Sequence, residues 1–517
     1  MIVASFQSFD EINAWSEIFE QPCAVLTART SAEVLPLLQR AEAEALNGKW
    51  AAVMLAYESA RAFDPAIQTH SSSPVPLAWA AIFDAPARIL STTRGRYKNT
   101  NWEPRLSRES YSDAIESIRE FIRCGDTYQV NYTFPMTCSF TGDARSWYQD
   151  LGSAQGARYC AYLDIGRYKV LSLSPELFFQ RTGQKLVVRP MKGTMPRGRW
   201  TVEDDEQAMR LASCEKNRAE NVMIVDLLRS DLGRISEFGS VEVTSLFEVE
   251  RYNTVLQMTS TIESKCNAGV NLESIMKALF PCGSITGAPK IRTTEIIRQV
   301  EPYPRGVYTG AIGLIRPDGD CLFNVAIRTI TVDTHTSEAT FGVGGGITYD
   351  SGADSEYEEC LLKSNFLTAR GEEFELIETI LLEEGKFFLL GRHIERLKSS
   401  ARYFGFRCDE NSVRSAFEQV HRDYGSGLWK VRLLLAKNGT TSTEVSRLES
   451  AKKAPVEVAL AENPISRSNP FLFHKTTNRT VYNSAVSEAG TGKDVIFWNE
   501  QGEVTESSIA NLVIVSG

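Results

Sequence analysis

The pattern of helices and strands that this sequence indicates ends near residue 369 and then begins again. Before that point, short stretches rich in Tyr, Val, Leu and Phe are broken by glycine turns and alternate with amphipathic helices. A mixture of this kind, without a regular strand–helix–strand order, predicts an α+β fold. We therefore expect an N-terminal part at 1–104, a main domain at 105–368 and a further domain at 369–517.

Composition limits the class of protein further. Of 517 residues, 43% are hydrophobic and 23% are charged, which is typical of an ordered globular chain with several folding units. A net charge of −9 and the lack of any basic run disfavour a nucleic-acid-binding protein. The N-terminus has no basic and apolar leader, and there is no apolar stretch of about 18 residues, so we expect a cytoplasmic protein.

Cysteine and histidine usage bears on the kind of metal site. The ten cysteines form no C-x-x-C pair, which disfavours a disulfide scaffold or a zinc–thiolate site and favours a reduced compartment. The five histidines are not paired at helical spacing. A divalent metal would therefore depend on carboxylates, which predicts a hard ion such as Mg²⁺.

Two helices are indicated within the first 240 residues. In the first, Ser110 and Asp113 form a capping-box pattern ahead of an apolar face, and Gly125 closes the helix. The second is predicted over 206–232, with Val222 on its buried stripe.

The first group of candidate catalytic residues lies on two predicted strands separated by a turn. Glu176 ends the segment Ser-Leu-Ser-Pro-Glu, and Lys192 lies in Arg-Pro-Met-Lys-Gly-Thr, which ends at Thr194. A carboxyl group beside an amine can serve as acid and nucleophile if burial lowers the pKa of the lysine. Taken alone, a surface salt bridge is the simpler interpretation.

A second candidate site is a run of small residues ahead of a predicted helix at 290–300. The run contains Ser284 and Thr286 within Phe-Pro-Cys-Gly-Ser-Ile-Thr-Gly-Ala-Pro-Lys. Backbone amides and hydroxyls at the start of a helix bind carboxylates or phosphates. As an isolated glycine loop, the same run also fits a plain turn.

The third candidate is a glycine-rich strand followed by a charged helix. Gly344 and Gly346 belong to the run Gly-Val-Gly-Gly-Gly. Glu356, Glu359 and Lys363 fall on one face of the helix that follows. Two carboxylates and an ammonium group there would suit Mg²⁺ and an acidic substrate group, although a solvated charged face is the alternative interpretation.

Together these motifs resemble the chorismate-utilising enzymes. In chain order they read SPELF, PMKGT, AENVMIVDLLRSDLGR, FPCGSITGAPKI, RGVYTGAIG, NVAIRT and GVGGGITYDS followed by EYEECLLK, and the resemblance extends over about residues 105–368. The family includes anthranilate, isochorismate, salicylate and aminodeoxychorismate synthases. The resemblance implies a chorismate-binding fold with a β-sheet core flanked by helices, chorismate as the substrate, and Mg²⁺ as a cofactor.

Two positions indicate which reaction of the family to expect. Water-adding members have a lysine general base where this chain has Gln129, and a neutral amide cannot take a proton from water. Anthranilate synthases have a small alanine at the position of Lys192. A lysine resembles the aminodeoxychorismate synthases, in which the amine attacks ring C2, the C4 hydroxyl leaves, and ammonia then attacks C4 and releases the lysine. We expect this reaction, which leads to 4-aminobenzoate and folate.

Two alternatives remain open from the sequence. One is an anthranilate synthase component I, and the other is a non-catalytic subunit that binds chorismate or an amidotransferase. The chain has no glutaminase nucleophile motif of the G-x-C-x-G type. Ammonia would therefore come from solution or from a separate glutamine amidotransferase subunit, and we expect such a partner.

The same resemblance implies roles for individual residues. Glu176 would be the general acid for the departing hydroxyl. The remaining implied contacts are Glu220, Glu359 and Glu356 to Mg²⁺; Tyr308 and Arg328 to the enolpyruvyl carboxylate; Gly344, Gly346 and Lys363 to the other acid group; and Thr194, Ser284 and Thr286 elsewhere on the substrate. Gln257 departs from the histidine of many relatives, and Asn217 departs from an acidic residue.

The part after residue 373 has its own ordered motifs. They read FELIETILLEEGKFFLLGRHIERLKSSARYFGF, HKTTNR and NEQGEVTESSIAN, and they resemble the class IV pyridoxal-phosphate enzymes, which include aminodeoxychorismate lyase. The resemblance implies that Arg396 binds the cofactor phosphate, Lys475 is the Schiff-base lysine, and Glu506 pairs with the pyridine nitrogen. Because relatives continue beyond the point where this sequence ends at Gly517, we expect an incomplete domain. It would be either a lyase that gives 4-aminobenzoate and pyruvate or a structural remnant.

Overall fold

The chain divides into two compact units in the computed structural model. Unit 1 comprises Met1–Pro196 and Arg210–Gly371, and unit 2 comprises Arg197–Met209 and Glu372–Gly517. The structure describes residues 3–10, 14–87, 94–368, 374–448, 457–490, 493–510, 512–513 and 515. The predicted boundary near residue 369 falls outside these described residues.

Helices and strands alternate irregularly, which confirms the predicted α+β class. The helices are α1 Ser31–Leu46, α2 Arg108–Arg123, α3 Ala144–Gln155, α4 Thr201–Ser213, α5 Glu215–Gly233, α6 Leu272–Leu279, α7 Lys290–Val300, α8 Ala353–Ser364, α9 Leu390–Phe404, α10 Glu410–Asp423 and α11 Thr480–Ala489. The strands of unit 1 are β1 Val3–Gln7, β2 Ser16–Glu20, β3 Ala24–Ala28, β4 Trp50–Leu55, β5 Ala78–Phe83, β6 Tyr97–Asn99, β7 Glu103–Pro104, β8 Gln129–Gly142, β9 Tyr159–Asp164, β10 Tyr168–Ser174, β11 Leu177–Thr182, β12 Lys185–Arg189, β13 Met191–Pro196, β14 Glu242–Arg251, β15 Val255–Lys265, β16 Gly287–Ala288, β17 Ala311–Ile315, β18 Cys321–Val325, β19 Thr329–Asp333 and β20 Glu338–Ile347. The strands of unit 2 are β21 Leu376–Glu383, β22 Lys386–Phe387, β23 Leu428–Leu435, β24 Thr441–Arg447, β25 Val458–Leu460, β26 Asp494–Trp498 and β27 Val504–Ser507.

Two large sheets form the centre of unit 1. The first has the order β16-β8-β20-β19-β10-β9-β1-β2, with β6 and β7 paired to β8. The second has the order β13-β15-β12-β11-β18-β17-β4-β5-β3, with β14 paired to β15. Because most neighbours are distant in sequence, these sheets bring motifs from many parts of the chain together.

The two sheets pack face to face and are covered by helices on their outer faces. The core between them joins Phe6 and Leu163 of the first sheet to Trp79 and Ile312 of the second. Further cores lie between the first sheet and α2, α3, α7 and α8, and between the second sheet and α1, α5 and α6. Each large apolar side chain buried in this way stabilises the fold by about 1.5–3 kcal/mol before entropy is counted.

Two predicted details of the helices are wrong. The cap of α2 is Ser107, whose hydroxyl accepts a hydrogen bond from the Ser110 N–H at 3.1 Å, so Ser110 lies inside the first turn. The predicted helix 206–232 is two helices, α4 and α5. Val222 is 46% exposed, because the buried polar Asn221 takes its place on the inner face of α5 and accepts a hydrogen bond from Ser260 at 2.6 Å.

Unit 2 contains two smaller sheets, in the orders β22-β21-β23-β24 and β25-β26-β27. Helices α9 and α10 cover the first sheet, and α11 packs on the second. The segment Arg197–Met209 belongs to this unit because Arg197 lies over the Tyr403 ring at 4.4 Å, and the Tyr403 hydroxyl donates to the Gly198 carbonyl at 2.6 Å. Among the described residues of the chain, no helix has both the length and the apolar character of a membrane span.

Candidate active site

Unit 1 contains a polar cavity of about 190 Å³. Its lining includes most of the residues predicted for the chorismate-like part, namely Glu176, Lys192, Thr194, Glu220, Ser284, Tyr308, Arg328, Gly344, Gly346, Glu356, Glu359 and Lys363. Thr286 is not brought to the cavity, since it is fully buried and its hydroxyl donates to the Cys282 carbonyl at 3.0 Å. Residues far apart in the sequence therefore share one concave site.

Lys192 projects from β13, which pairs with β15. Neighbouring protein atoms desolvate its amine and lower its pKa, although Glu220 and Glu176 oppose this shift. A side chain at Gly346 would place its Cβ 3.2 Å from the amine nitrogen, so the glycine leaves room for this lysine. A lowered pKa increases the fraction of neutral amine, which is the nucleophilic form.

Glu176 is held at a fixed position in the same cavity. Its side chain is almost completely buried, and the Ser284 hydroxyl donates to Glu176 Oε1 at 2.6 Å. Burial raises the pKa of Glu176 to about 7, although Ser284 and Lys192 favour the ionised form. A carboxyl group with this pKa retains a proton near neutral pH and can give it to a leaving group.

Three carboxylates form another wall of the cavity, Glu220 on α5 and Glu356 and Glu359 on α8. Burial raises the pKa of Glu220, and the nearby charges of Glu356 and Glu359 add to this effect. Burial also raises the pKa of Glu356, whose Oε1 accepts from Ser351 at 2.7 Å. Against the effect of burial, Lys363 at 2.8 Å holds the pKa of Glu359 below its usual value.

These carboxylates fit a hard divalent cation in donor type and charge. All three offer oxygen ligands, and their mutual repulsion favours a positive ion between them. Within the described ranges, no three acidic, histidine or cysteine side chains are already arranged as a metal centre.

Two cationic groups line the cavity, Arg328 and Lys363, and of these Lys363 also pairs with Glu359. Burial lowers the pKa of Arg328 to about 10, and its electrostatic neighbours are the hydroxyls of Tyr252 and Tyr308. The Lys363 amine donates to the Gly344 carbonyl at 3.0 Å. Gln155 also accepts a hydrogen bond from Arg328 through its amide oxygen, so the described polar neighbours of Arg328 are neutral. A guanidinium group that remains charged at neutral pH beside neutral groups suits a carboxylate ligand.

Gln129 is a neutral buried group beside the glycine-rich strand. It is 1% exposed, and neither its amide oxygen nor its amide nitrogen has a hydrogen-bond partner. Its amide nitrogen lies where a side chain at Gly346 would be. The position therefore has no group that can act as a base.

The sequence interpretation missed two polar side chains that line the cavity, those of Asn131 and Lys216. The charge of Lys216 acts on all three carboxylates, Glu220, Glu356 and Glu359. Its spacing of four residues before Glu220 on a predicted helix could have indicated this contact. Asn131 gave no signal of its own, since it is one polar residue within a strand.

Unit 2 gathers its predicted residues around several positive charges. Partial burial and then the neighbouring Arg396 lower the pKa of Lys475, and Arg479 and Arg432 act in the same direction. Arg396 donates to both carboxylate oxygens of Glu378, with Nε–Oε1 at 2.8 Å. The cluster of cations fits an anionic phosphate group beside the lysine.

Glu506 lies in the same unit, on β27. Burial raises its pKa, while the Tyr482 hydroxyl and Arg479 favour the ionised form. Asn511 and Gly517, which end the last motif and the sequence, lie outside the described residues. The donor set of Lys475, Arg396 and Glu506 fits pyridoxal phosphate in chemistry.

Two family models match the chain. The model described as chorismate binding enzyme matches residues 78–369, and the model described as amino-transferase class IV matches residues 375–517. The first covers more than half of the chain.

Curated relatives carry two different names. The chain is 39% identical to anthranilate synthase component 1 1 of Haloarcula marismortui, and 38% identical to aminodeoxychorismate synthase component 1 of both Escherichia coli and Bacillus subtilis. The matches cover 53%, 52% and 53% of this chain. The chain spans 55%, 58% and 58% of the length of these relatives, respectively.

Solved structures share the fold of unit 1. Anthranilate synthase component I from Streptococcus pneumoniae matches with a TM-score of 0.58 and 23% identity, over 71% of this chain and 92% of that chain. The menaquinone-specific isochorismate synthase from Escherichia coli matches with a TM-score of 0.58 and 16% identity, over 71% and 88% of the two chains. At these identities, the likeness concerns the fold alone.

Proposed function

We propose, from the premise that this chain belongs to the chorismate binding enzyme family, that it aminates chorismate at ring C4 to give 4-amino-4-deoxychorismate. The observation that carries this proposal is the amine of Lys192 in the same cavity as the protonatable carboxyl of Glu176. Overall identity does not separate the two reactions, because relatives named for each are 38–39% identical to the chain. The nucleophile at position 192 therefore decides between them.

Substrate binding would use the two cationic sides of the cavity. Arg328 and Tyr308 would hold the enolpyruvyl carboxylate, and Lys363 with the backbone of Gly344 and Gly346 would hold the ring carboxylate end. Thr194 donates to Gln257 at 3.1 Å, so it would present a fixed hydroxyl to the substrate. This arrangement would orient ring C2 toward Lys192 and the C4 hydroxyl toward Glu176.

The chemical step would proceed by two allylic displacements. The neutral amine of Lys192 attacks C2, the ring double bonds shift, and the C4 hydroxyl leaves as water with the proton of Glu176. The secondary ammonium formed at Lys192 then returns a proton to Glu176. Ammonia attacks C4, the double bonds shift back, and the bond between C2 and Lys192 breaks as the Lys192 nitrogen takes up the proton that the incoming nitrogen releases. Nitrogen thus reaches C4 with the C2 position restored, which direct attack of ammonia at C2 would not achieve.

The acidic wall would hold the metal of this reaction. Glu220, Glu359 and Glu356 would hold Mg²⁺, which supplies positive charge opposite the substrate carboxylate. When no cation is bound, the positive charge of Lys216 would partly balance the negative charge of these three side chains.

Ammonia would come from a glutamine amidotransferase subunit in the cell and from ammonium salts in the assay. We propose this source because the roles assigned to the described residues of unit 1 are to bind and activate chorismate, which accepts the nitrogen, and none of these roles is to release ammonia from glutamine. We place this reaction in a reduced compartment such as the cytoplasm, because the ten cysteines of the sequence form no C-x-x-C pair.

The product formed from chorismate and ammonium tests the proposed function. With Mg²⁺ present, we expect mass spectrometry and comparison with authentic standards to identify 4-amino-4-deoxychorismate. A chelator should abolish its formation, because the substrate carboxylate would lose the positive charge that Mg²⁺ supplies. Anthranilate as the product would overturn the proposal in favour of C2 amination, and chorismate binding without any turnover would favour a binding subunit.

We further propose that the class IV part is a lyase-like domain that binds pyridoxal phosphate and acts on the product of unit 1 to give 4-aminobenzoate and pyruvate. Arg396 and Arg479 would contact the phosphate, Lys475 would hold the cofactor covalently, and Glu506 would face the pyridine nitrogen. The cofactor supplies an electron sink when bound. The amine of Lys475, whose pKa is lowered, would accept and return the proton that is transferred during the lyase reaction.

Cofactor titration tests this second proposal. Adding pyridoxal phosphate to the full chain should produce a visible absorption band, and borohydride reduction should attach the cofactor to the peptide that contains Lys475. Lys475→Ala should lose both signals, while Lys493→Ala, at an exposed lysine of the same unit, should keep them. No band at saturating cofactor would indicate that this domain is a structural remnant.

A further inference from the structure

A buried ion pair lies behind the cavity of unit 1. Arg305 and Glu301 are each about 2% exposed in their side chains. Arg305 Nε donates to Glu301 Oε2 at 2.8 Å, and Nη2 donates to Oε1 at 2.7 Å. Neither residue lines the cavity, and neither belongs to the set predicted from the sequence.

Two of the three remaining hydrogens of the guanidinium group go to backbone carbonyls of two other segments. Nη1 donates to the Ile285 carbonyl at 2.9 Å, and Nη2 donates to the Asn131 carbonyl at 2.6 Å. The carboxylate of Glu301 accepts from the N–H and the hydroxyl of Thr133, at 2.8 and 3.0 Å. The pair thus joins β8 to the turn Gly283–Ile285, two segments that are distant in sequence.

Both segments end at the cavity. Asn131 and Ile285 line it, and Ser284, next to Ile285, holds the carboxyl of Glu176 at 2.6 Å. The Arg305 side chain is therefore two short steps from the proposed acid: one hydrogen bond to the turn and one from the turn to Glu176.

Arg305 also constrains a third part of the wall. Its Nη1 lies 3.4 Å from the Thr309 hydroxyl, which donates to the Tyr308 carbonyl at 2.6 Å. Thr309 has a φ of 61°, a left-handed conformation that a β-branched residue rarely adopts. The backbone N–H of Arg305 donates to the buried carboxyl of Glu58 at 2.8 Å. This segment is therefore fixed from both its backbone and its side chain.

A buried ion pair is weak evidence for a stabilising role, because the cost of desolvation offsets much of the attraction. A planar group with five donors in a fixed fork can instead set the relative position of several acceptors. Arg305 uses that geometry on three chain segments at once. A lysine could pair with Glu301 but could not reach both carbonyls in the same way.

We propose that Arg305 is a positioning residue for the reaction, which fixes the turn carrying Ser284 against β8 so that the Ser284 hydroxyl stays on the Glu176 carboxyl. This inference rests on the proposed function of the cavity. It assigns a role to a residue that contacts neither substrate nor metal.

The test compares Arg305→Lys with Arg181→Lys in the full chain. Arg181 forms a similar, nearly buried pair with Glu42 at 3.2 Å in the same unit, and it does not line the cavity. We expect Arg305→Lys to lower kcat roughly 10- to 100-fold, the scale of a displaced catalytic group, with less change in KM. Arg181→Lys should lower the melting temperature by a similar amount and leave kcat unchanged.

A double-mutant cycle with Ser284→Ala separates positioning from general damage. If Arg305 acts through Ser284, the double variant should be no slower than the slower single variant. Effects that multiply, or an Arg305→Lys kcat equal to that of Arg181→Lys, would overturn the proposal. If the lysine variant folds poorly, Arg305→Met with Glu301→Met removes both charges together, so that no unpaired ion is buried, and the same loss of kcat is expected.

Hydrogen exchange tests the inference without turnover. In Arg305→Lys, peptides covering residues 282–287 should exchange faster than in the wild type, and in Arg181→Lys they should not. Unchanged exchange would overturn the proposed role even if activity falls. Should the wild type form no 4-amino-4-deoxychorismate, the proposed function fails on its own, and the exchange data still decide whether Arg305 holds the turn.

Discussion

Lys192→Ala is expected to abolish the formation of 4-amino-4-deoxychorismate from chorismate and ammonium. The loss should be roughly 10⁴-fold or more, the scale reached when a covalent nucleophile is removed. The expected reason is that the other two lysines lining the cavity, Lys216 and Lys363, interact with its acidic wall, so neither takes the place of Lys192 at C2. Because alanine leaves space beside Gly346, any residual ammonia attack should occur at C2, and mass spectrometry with product standards would detect that isomer.

The matched control for this prediction is Lys192→Arg. A guanidinium group keeps the positive charge opposite Glu220 and Glu176, but it is not available as a neutral nucleophile. Both variants should therefore lack the C4 product, and neither should give a chorismate-derived mass on the peptide of residue 192 after rapid quenching. Normal C4 amination by either variant would refute the covalent mechanism.

Glu176→Gln should lower kcat by about 10²- to 10⁴-fold, the usual contribution of a general acid. Because the pKa of Glu176 is raised to about 7, the wild-type kcat should fall as pH rises through 7 and the acid loses its proton. Lys192 must also be neutral to attack C2, and because burial lowers its pKa, its deprotonation should add a part of the profile along which kcat rises with pH. The charged and titratable groups that face Glu176 are Lys192 and Cys282. Measuring kcat over a pH series for the wild type and for Glu176→Gln tests both the rising and the falling part (the acidic and alkaline limbs) of this profile.

Glu58→Gln is the control that identifies the source of the alkaline limb. Burial raises the pKa of Glu58 to about 7 as well, but this carboxyl lies outside the cavity and accepts from backbone N–H groups. The limb should persist in Glu58→Gln and vanish in Glu176→Gln. A limb that follows Glu58 instead would show that Glu176 is not the acid seen in kcat.

The sequence allowed prediction of those parts of the site that depend on residue type within a short segment. Helix geometry alone places Glu356, Glu359 and Lys363 on one face, and the structure has an ion pair between the last two at 2.8 Å. The strand motifs also indicated Glu176 and Lys192 as a candidate pair. The resemblance to a family supplied the roles of these residues and added Glu220, Tyr308 and Arg328. It could do so because each of these residues lies in a distinctive local motif.

Contacts between distant segments could not be predicted in this way. Nothing near Arg305 in the sequence indicates that its side chain reaches Asn131 and Ile285, since sheet order sets these neighbours. Val222 shows the same limit on a helix, because the buried position was taken by Asn221 once Ser260 on β15 offered it a hydrogen bond. The periodicity of apolar residues predicts which positions of a helix are buried, but it does not indicate which polar side chains will be buried with a hydrogen-bond partner.

The membership of Arg197–Met209 in unit 2 has a consequence for how the polypeptide can be divided. The backbone passes between the two units after residues 196, 209 and 371, so the junction near 369 is only one of three crossings. A gene fragment that stopped there would encode the segment Arg197–Met209 without Tyr403, whose ring Arg197 contacts. The remaining fragment would contain Tyr403 but lack the guanidinium group of Arg197. The two units are therefore interleaved along the sequence, and no single cut of the polypeptide separates them.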